Sequence, residues 1–138
     1  LTWMQEKSED VFVVATANNI SQIPPELLRK GRFDEIFFVD LPDVQERGAI
    51  LRIHLTQRKQ NPQQFNLPDL IAATEGYSGA EIEQAVITAL YNALYLQKTL
   101  DTELLLQAIR STVPLSVSRR EDLEGLRAIA QERFVNAR

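Results

Sequence analysis

The sequence predicts an α/β remnant, two strands of the parallel type, followed by an all-helical domain. Three observations carry that expectation. Two short apolar runs rich in β-branched and aromatic residues, Val11–Ala15 and Ile36–Val39, flank a polar segment. Continuous runs of this kind, bounded by turn residues, suit strands buried on both faces. Beyond Leu41–Asp43 the apolar residues recur at helical spacing to the end of the chain, and three capping boxes (Asp43 with Glu46, Ser78 with Glu81, Ser118 with Glu121) mark helix starts. The expected division is therefore an incomplete α/β layer over 1–42 and a helical domain over 43–138.

Composition narrows the function classes. The chain has 138 residues, 44% hydrophobic and 25% charged, with a net charge of −4. A chain of this size buries roughly two-thirds of its unfolded surface, enough for one core. The acidic balance and the lack of a basic stripe argue against a nucleic-acid partner. There is no cysteine and one histidine, so neither disulfides nor a metal site is expected. No apolar run approaches the ~20 residues that span a bilayer, and no signal peptide is visible. The expectation is no membrane partner and a cytoplasmic or plastid-stroma-like compartment.

Taken in order, residues 1–7 read as the tail of an amphipathic helix and a polar loop, with Trp3 a core residue of a missing half. The first strand ends at Thr16-Ala17-Asn18-Asn19. Open α/β sheets place ligand chemistry at such strand ends, and an amide there offers two donors and an acceptor. The competing reading of Asn18 and Asn19 is a simple Asx turn. Pro24 and Pro25 open a short helix at Glu26–Lys30, and Gly31 stops it. Arg29 and Arg32 are planar, permanent cations suited to phosphate; they also read as a solvated basic cluster at a helix end. Asp34 is expected to steady that segment. Phe33 is expected to pack on the sheet, and Phe37 and Phe38 to face opposite sides of the second strand.

A helix follows from Asp43 to about Arg58, carrying His54 and an apolar set that is not cleanly one-sided. Residues 59–65 read as a loop, and Leu67–Thr74 as a short helix. A long central helix is expected over Gly79–Gln97, with Ile82, Ala85, Val86, Ala89, Leu90, Ala93, Leu94 and Leu96 as its apolar stripe. Helices over Asp101–Ser111 and Arg119–Asn136 complete the set, with Pro114 breaking the first. His54 reads as a partly buried structural histidine, and Gly79-Ala80 as an ordinary helix start.

The apolar strand ending Ala17-Asn18-Asn19, the segment Leu27-Leu28-Arg29-Lys30-Gly31-Arg32-Phe33-Asp34, the strand Ile36–Val39 with its exit at Pro42, His54, and Gly76-Tyr77-Ser78-Gly79-Ala80 together resemble the second half of the ATPase core and the helical lid of classic AAA proteins. The wording from Leu27 to Pro42 most resembles the AAA proteins of cyanobacteria and algal plastids known as hypothetical chloroplast reading frames. The resemblance implies that Asn18 is sensor 1, holding the attacking water or a γ-phosphate oxygen. It implies that Arg29 and Arg32 are arginine fingers reaching a neighbouring subunit's nucleotide, and that His54 and the Gly79-Ala80 backbone line the adenosine. Ala80, where another branch of the family carries a sensor-2 arginine, fits the classic group.

The same resemblance implies ATP with Mg²⁺ as the cofactor of a parent protein. The expected partners are its missing N-terminal half, neighbouring subunits in a ring (a homo-hexamer) and a protein substrate to remodel. The chain contains no Gly-x-x-x-x-Gly-Lys-Ser/Thr and no apolar strand ending in paired acids before Val11. It is therefore expected to be a fragment that holds no nucleotide tightly and is inactive alone. The alternative is a stand-alone helical interaction module without nucleotide chemistry. Strands with no sheet to join leave bare edges, so residues 1–42 are expected to be disordered, repacked or covered by another copy.

Overall fold

A computed structural model describes residues 12–19, 22–24, 26–27 and 33–136. The chain divides into two compact units, Asp40–Leu123 on the one hand and Leu1–Val39 with Glu124–Arg138 on the other.

The first unit is helical. Helix α1 spans Val44–Gln57. It begins where the sequence places it, because Asp43 Oδ1 accepts the Glu46 N–H (2.9 Å) while Glu46 Oε2 accepts the Asp43 N–H (2.8 Å). A 3-10 turn at Pro62–Gln64 leads to α2, Leu67–Ala73. Helix α3 spans Gly79–Tyr95 behind a second capping box: Glu81 Oε2 accepts from Ser78 N (2.7 Å) and Ser78 Oγ (2.8 Å), and Ser78 Oγ accepts from Glu81 N (3.3 Å). Helix α4, Thr102–Arg110, starts at Asp101, whose carboxylate accepts the Leu104 N–H. A short α5, Leu115–Ser118, follows Pro114.

The core of this unit lies where α1, α3 and α4 meet. Leu51 and Leu55 of α1, Ile82 and Val86 of α3, and Leu105 of α4 are fully buried. Leu70 of α2 and Ile109 close the cluster. Each such side chain contributes roughly 1.5–3 kcal/mol by leaving water. The uneven stripe of α1 resolves here, since Leu51 and Leu55 face the core while Val44 and Ile53 are exposed. Two residues of the expected α3 stripe do not join it: Leu94 is 74% exposed, and Leu96, which lies past the helix end, 48%. At 3.6 residues per turn Ala89 and Ala93 keep the core face, and Leu94 is rotated about 100° beyond Ala93.

Polar groups fix the joints. Arg47, 7% exposed, donates from Nε to the Ile71 carbonyl (3.3 Å) and from its guanidinium to the Pro42 carbonyl (3.2 Å), tying the start of α1 to α2. The Tyr77 hydroxyl lies 2.7 Å from both the Ile109 and the Thr112 carbonyls, where it anchors the α2–α3 loop to the end of α4. Burial, with the Glu81 carboxylate second, pushes this phenol above its ordinary 10.0, so it stays a donor. Helices α1 and α3 end alike. Lys59 and Gln97 take left-handed φ values of 58° and 53°, and the next N–H returns to the carbonyl five residues back, Gln60 to Leu55 and Lys98 to Ala93. Both are Schellman closures.

The second unit carries the strands. Strand β1, Phe37–Phe38, pairs in parallel with β2, Val135–Asn136, in the register Phe37 to Val135. Helix α6, Arg120–Arg133, leads into β2, so the helix expected to run to Asn136 stops three residues short and gives way to a strand. Ser118 is the last residue of α5, its Oγ donating to the Pro114 carbonyl, and α6 begins two residues later.

The first expected strand is a correction. Of the run 11–15, residues 12–15 are described, belong to no strand, and include Phe12 at 91% and Val14 at 75% exposure. A strand's backbone groups need a neighbouring ladder, and the β1–β2 pair, two residues deep, is the sheet among the described residues. For the same reason β1 is not buried on both faces: Phe37 and Val39 are exposed, while Phe38 on the opposite side is half-buried. The expected helix at Glu26–Lys30 is described only as a turn at Glu26–Leu27, closed by Leu27 N–H to the Pro24 carbonyl (2.9 Å). Its remainder, with Gly31, lies outside the described residues.

Two glycines make opposite demands. Gly76 has φ +77°, and a Cβ there would collide with Ser116 Oγ. A Cβ on Gly79 would meet Ile50 Cδ1 at 3.6 Å, ordinary contact. Gly76→Ala is expected to lower stability by about 1–3 kcal/mol, and Gly79→Ala to change it by less than about 0.5 kcal/mol, both read from urea midpoints. In the same assay Tyr77→Phe is expected to cost about 1–2 kcal/mol, because it removes the one O–H that the Ile109 and Thr112 carbonyls share.

Candidate functional site

The packing of α3 on α1 brings two of the sequence-predicted residues, His54 and Gly79, to one helix–helix contact. Gly79 faces α1: a Cβ built on it would lie 3.6 Å from Ile50 Cδ1, and Ile50 stands four residues before His54. Glu83 lies four residues beyond Gly79 on α3. Residues four apart share a helix face, so the row Gly79–Glu83 runs beside the row Ile50–His54.

The far end of the seam is a polar cluster. Arg58, the C-cap of α1, turns its guanidinium back toward His54. One terminal nitrogen lies 3.2 Å from His54 Nδ1 and 3.2 Å from the His54 carbonyl oxygen. The other donates to Glu83 Oε1 at 2.8 Å. His54 Nδ1 is 3.6 Å from the same carboxylate oxygen. The Arg58 hydrogen bond holds the Glu83 carboxyl below its ordinary 4.5; partial burial opposes it, and the Arg58 charge adds to the lowering.

The near end of the seam is a helix start. Its capping box uses the N–H groups of Ser78 and Glu81. The N–H groups of Gly79 and Ala80, the first two helical positions, have no acceptor among the described residues. Ala80 is exposed. This end therefore offers two aligned donors and a surface without bulk, suited to the edge of a flat, acceptor-bearing group.

Asn18 lies in a bend within an exposed stretch of the other unit. Arg29 and Arg32 lie outside the described residues. Among those described, no group of three or more histidines or carboxylates has metal-binding geometry, and no helix is long and apolar enough to cross a membrane.

Sequence reasoning missed Arg58, Glu83, Arg47 and Tyr77. The first two had a signal: Arg58 stands four residues after His54, and Glu83 four after Gly79. Arg47 had none, because its partners are backbone carbonyls.

The family model of the ATPase family associated with various cellular activities (AAA) matches residues 1–41, and that of the AAA+ lid domain matches residues 64–95. The chain belongs to the AAA family. An AAA domain-containing protein, ycf46, of Pyropia yezoensis is 47% identical over 131 residues, which is 94% of this AAA chain and 27% of that protein. The ATP-dependent zinc metalloprotease FtsH of Malacoplasma penetrans is 37% identical over 123 residues, 87% of this chain and 15% of its own length. The proteasome-activating nucleotidase of Aeropyrum pernix is 41% identical over 86 residues, 62% and 21% of the two chains. The AAA chain spans about a quarter of the length of its ycf46 relatives. Within it, the lid match covers Gly79, Ala80 and Glu83, and the core match covers Asn18, Arg29 and Arg32.

The cluster has a pH signature. A carboxyl depressed in the folded state stabilises fully above its unfolded pKa, and the contribution is lost as pH falls through the folded one. Lowering the pH from about 5 to about 3 is expected to destabilise the wild type more than Glu83→Gln, with the two urea midpoints converging in acid.

Proposed function

We propose that this chain is the sensor-1, arginine-finger and lid portion of a longer AAA ATPase that hydrolyses ATP in a ring, a homo-hexamer, to remodel a protein substrate. The observation that carries the reading is the α1–α3 pair: α3 opens with the Gly79 and Ala80 N–H groups, unpaired among the described residues, and His54 of α1 lies beside Glu83 of the same helix, a mixture of donors and open surface that the nucleoside half of ATP matches. The phosphates and Mg²⁺ require the Gly-x-x-x-x-Gly-Lys-Ser/Thr loop that this sequence does not contain, so in this reading they are held by the N-terminal half of the parent. The chain alone then binds nucleotide weakly and does not turn it over. Its partners are that half, the neighbouring subunits and a protein substrate, with neither nucleic acid nor membrane, in the cytoplasm or the plastid stroma.

ATP supplies the phosphoanhydride whose γ-phosphoryl group is transferred to water. Asn18 orients the water or a γ-phosphate oxygen through its amide. Arg29 and Arg32 reach the nucleotide of the adjacent subunit and balance the charge that spreads over the transferred group. Fingers of this kind contribute about 10³–10⁵-fold, roughly 4–7 kcal/mol of barrier. The competing reading, a stand-alone helical interaction module, draws on the fact that Asp40–Leu123 forms a compact unit with its own core.

Mixed-subunit ATPase assays on the full-length parent separate the two. Arg29→Ala and Arg32→Ala subunits are expected to bind ATP normally, to lose turnover by about 10³-fold or more, and to regain it only beside a neighbour that supplies the arginine. Asn18→Ala is expected to lose turnover in its own subunit. Unchanged turnover in all three variants would leave the arginines as surface charge and favour the interaction module.

A further inference from the structure

The His54–Arg58–Glu83 cluster specifies a proton. A guanidinium only donates hydrogen bonds. With its nitrogen 3.2 Å from His54 Nδ1, the contact is a hydrogen bond only if Nδ1 carries a lone pair. The rival partner is the Glu83 carboxylate, which only accepts and would call for a proton on Nδ1. That oxygen is farther, 3.6 Å, and already accepts from Arg58 at 2.8 Å. The shorter contact and the engaged carboxylate select the same form, the neutral ring with its proton on Nε2. Nε2 itself has no partner among the described residues. No buried side-chain nitrogen or oxygen there lacks one, so Nε2 reaches solvent.

We propose that Arg58, held in place by Glu83, is a positioning residue that locks His54 in the Nε2–H tautomer, so that position 54 presents a hydrogen-bond donor to its ligand. The complementary ligand atom is an acceptor: a purine ring nitrogen or a ribose oxygen. The tautomer stands on the geometry alone; the identity of the ligand rests on the nucleotide reading above. The guanidinium also binds the His54 backbone carbonyl (3.2 Å), so one side chain fixes both the ring and the main chain that carries it. Arg58 caps the end of α1 and Glu83 sits on α3, so the proton's position depends on how these two helices pack.

The chain has one histidine, so ¹⁵N–¹H correlation of the imidazole in the labelled protein reports this ring alone. At pH about 8, above the ordinary histidine pKa of about 6.5, the expected spectrum has Nδ1 of the pyridine type and Nε2 of the pyrrole type. In Arg58→Met the apolar stem is kept, Glu83 becomes the nearest hydrogen-bonding group, and the Nδ1–H form is expected to grow at the expense of Nε2–H. A pyrrole-type Nδ1 in the wild type overturns the proposal, as does an unchanged tautomer ratio in a folded Arg58→Met. Should that variant not fold, Glu83→Gln, which removes the charged anchor but keeps an acceptor, is expected to move the ratio in the same direction, and no movement overturns the lock. A second readout isolates the ligand. In the full-length parent, ATP is expected to bind Arg58→Met about tenfold more weakly (roughly 1.4 kcal/mol). A shifted tautomer with unchanged ATP affinity supports the lock and overturns the placement of His54 at the nucleotide.

Discussion

Everything positioned in the helical unit depends on the burial of α3. Its core face, Ile82, Val86 and Ala89, packs against Leu51 and Leu55 on one side and Leu105 and Ile109 on the other. Small residues along that face, Ala85, Ala89 and Ala93, let the neighbouring helices approach. The charged and polar groups are arranged around this apolar contact and do not replace it. Arg47, Tyr77 and the two capping boxes satisfy backbone groups at the margins, where unpaired carbonyls and N–H groups would otherwise cost about 1–3 kcal/mol each.

The candidate site is a by-product of the same contact. Because α1 and α3 pack side by side, with Gly79 facing Ile50, the residues one turn further on, His54 and Glu83, come within reach of each other and of Arg58. A Cβ at position 79 would make only ordinary contact with Ile50 of α1, so packing on α1 does not itself require glycine there. Fold and site share one geometric origin, and a shift of α3 along α1 by one turn would separate all of these groups.

The helical unit was legible because its signals are local. Capping boxes at Asp43 and Ser78 act within three residues, and the spacing of Ile82, Ala85, Val86 and Ala89 states which face is buried. The strands were not legible to the same degree. Strand character at Phe12–Ala15 depends on a neighbouring ladder, and apolar, β-branched composition states a preference without supplying the partner. The pairing of Phe37 with Val135 joins residues far apart in the chain, and no local rule announces it. Leu94 misled because it is apolar at nearly the right spacing; a rotation of one residue along the helix decides between core and solvent. At the site, His54, Gly79 and Ala80 were recognised through family resemblance. Arg58 and Glu83 became visible only when two helices were placed side by side.

The helix ends at Lys59 and Gln97 bear on how far this bundle has been tuned. Both residues occupy a left-handed conformation in which glycine is at ease and a residue with a Cβ is disfavoured by roughly 1–2 kcal/mol. The chain thus closes its two longest core-forming helices with side chains that work against the turn. Such strain is tolerated only because the returning hydrogen bonds to Leu55 and Ala93 and the packing behind them outweigh it. The bundle sits below the stability its own backbone permits, and the shortfall is concentrated at two solvent-facing joints, one of them next to Arg58 of the His54 cluster.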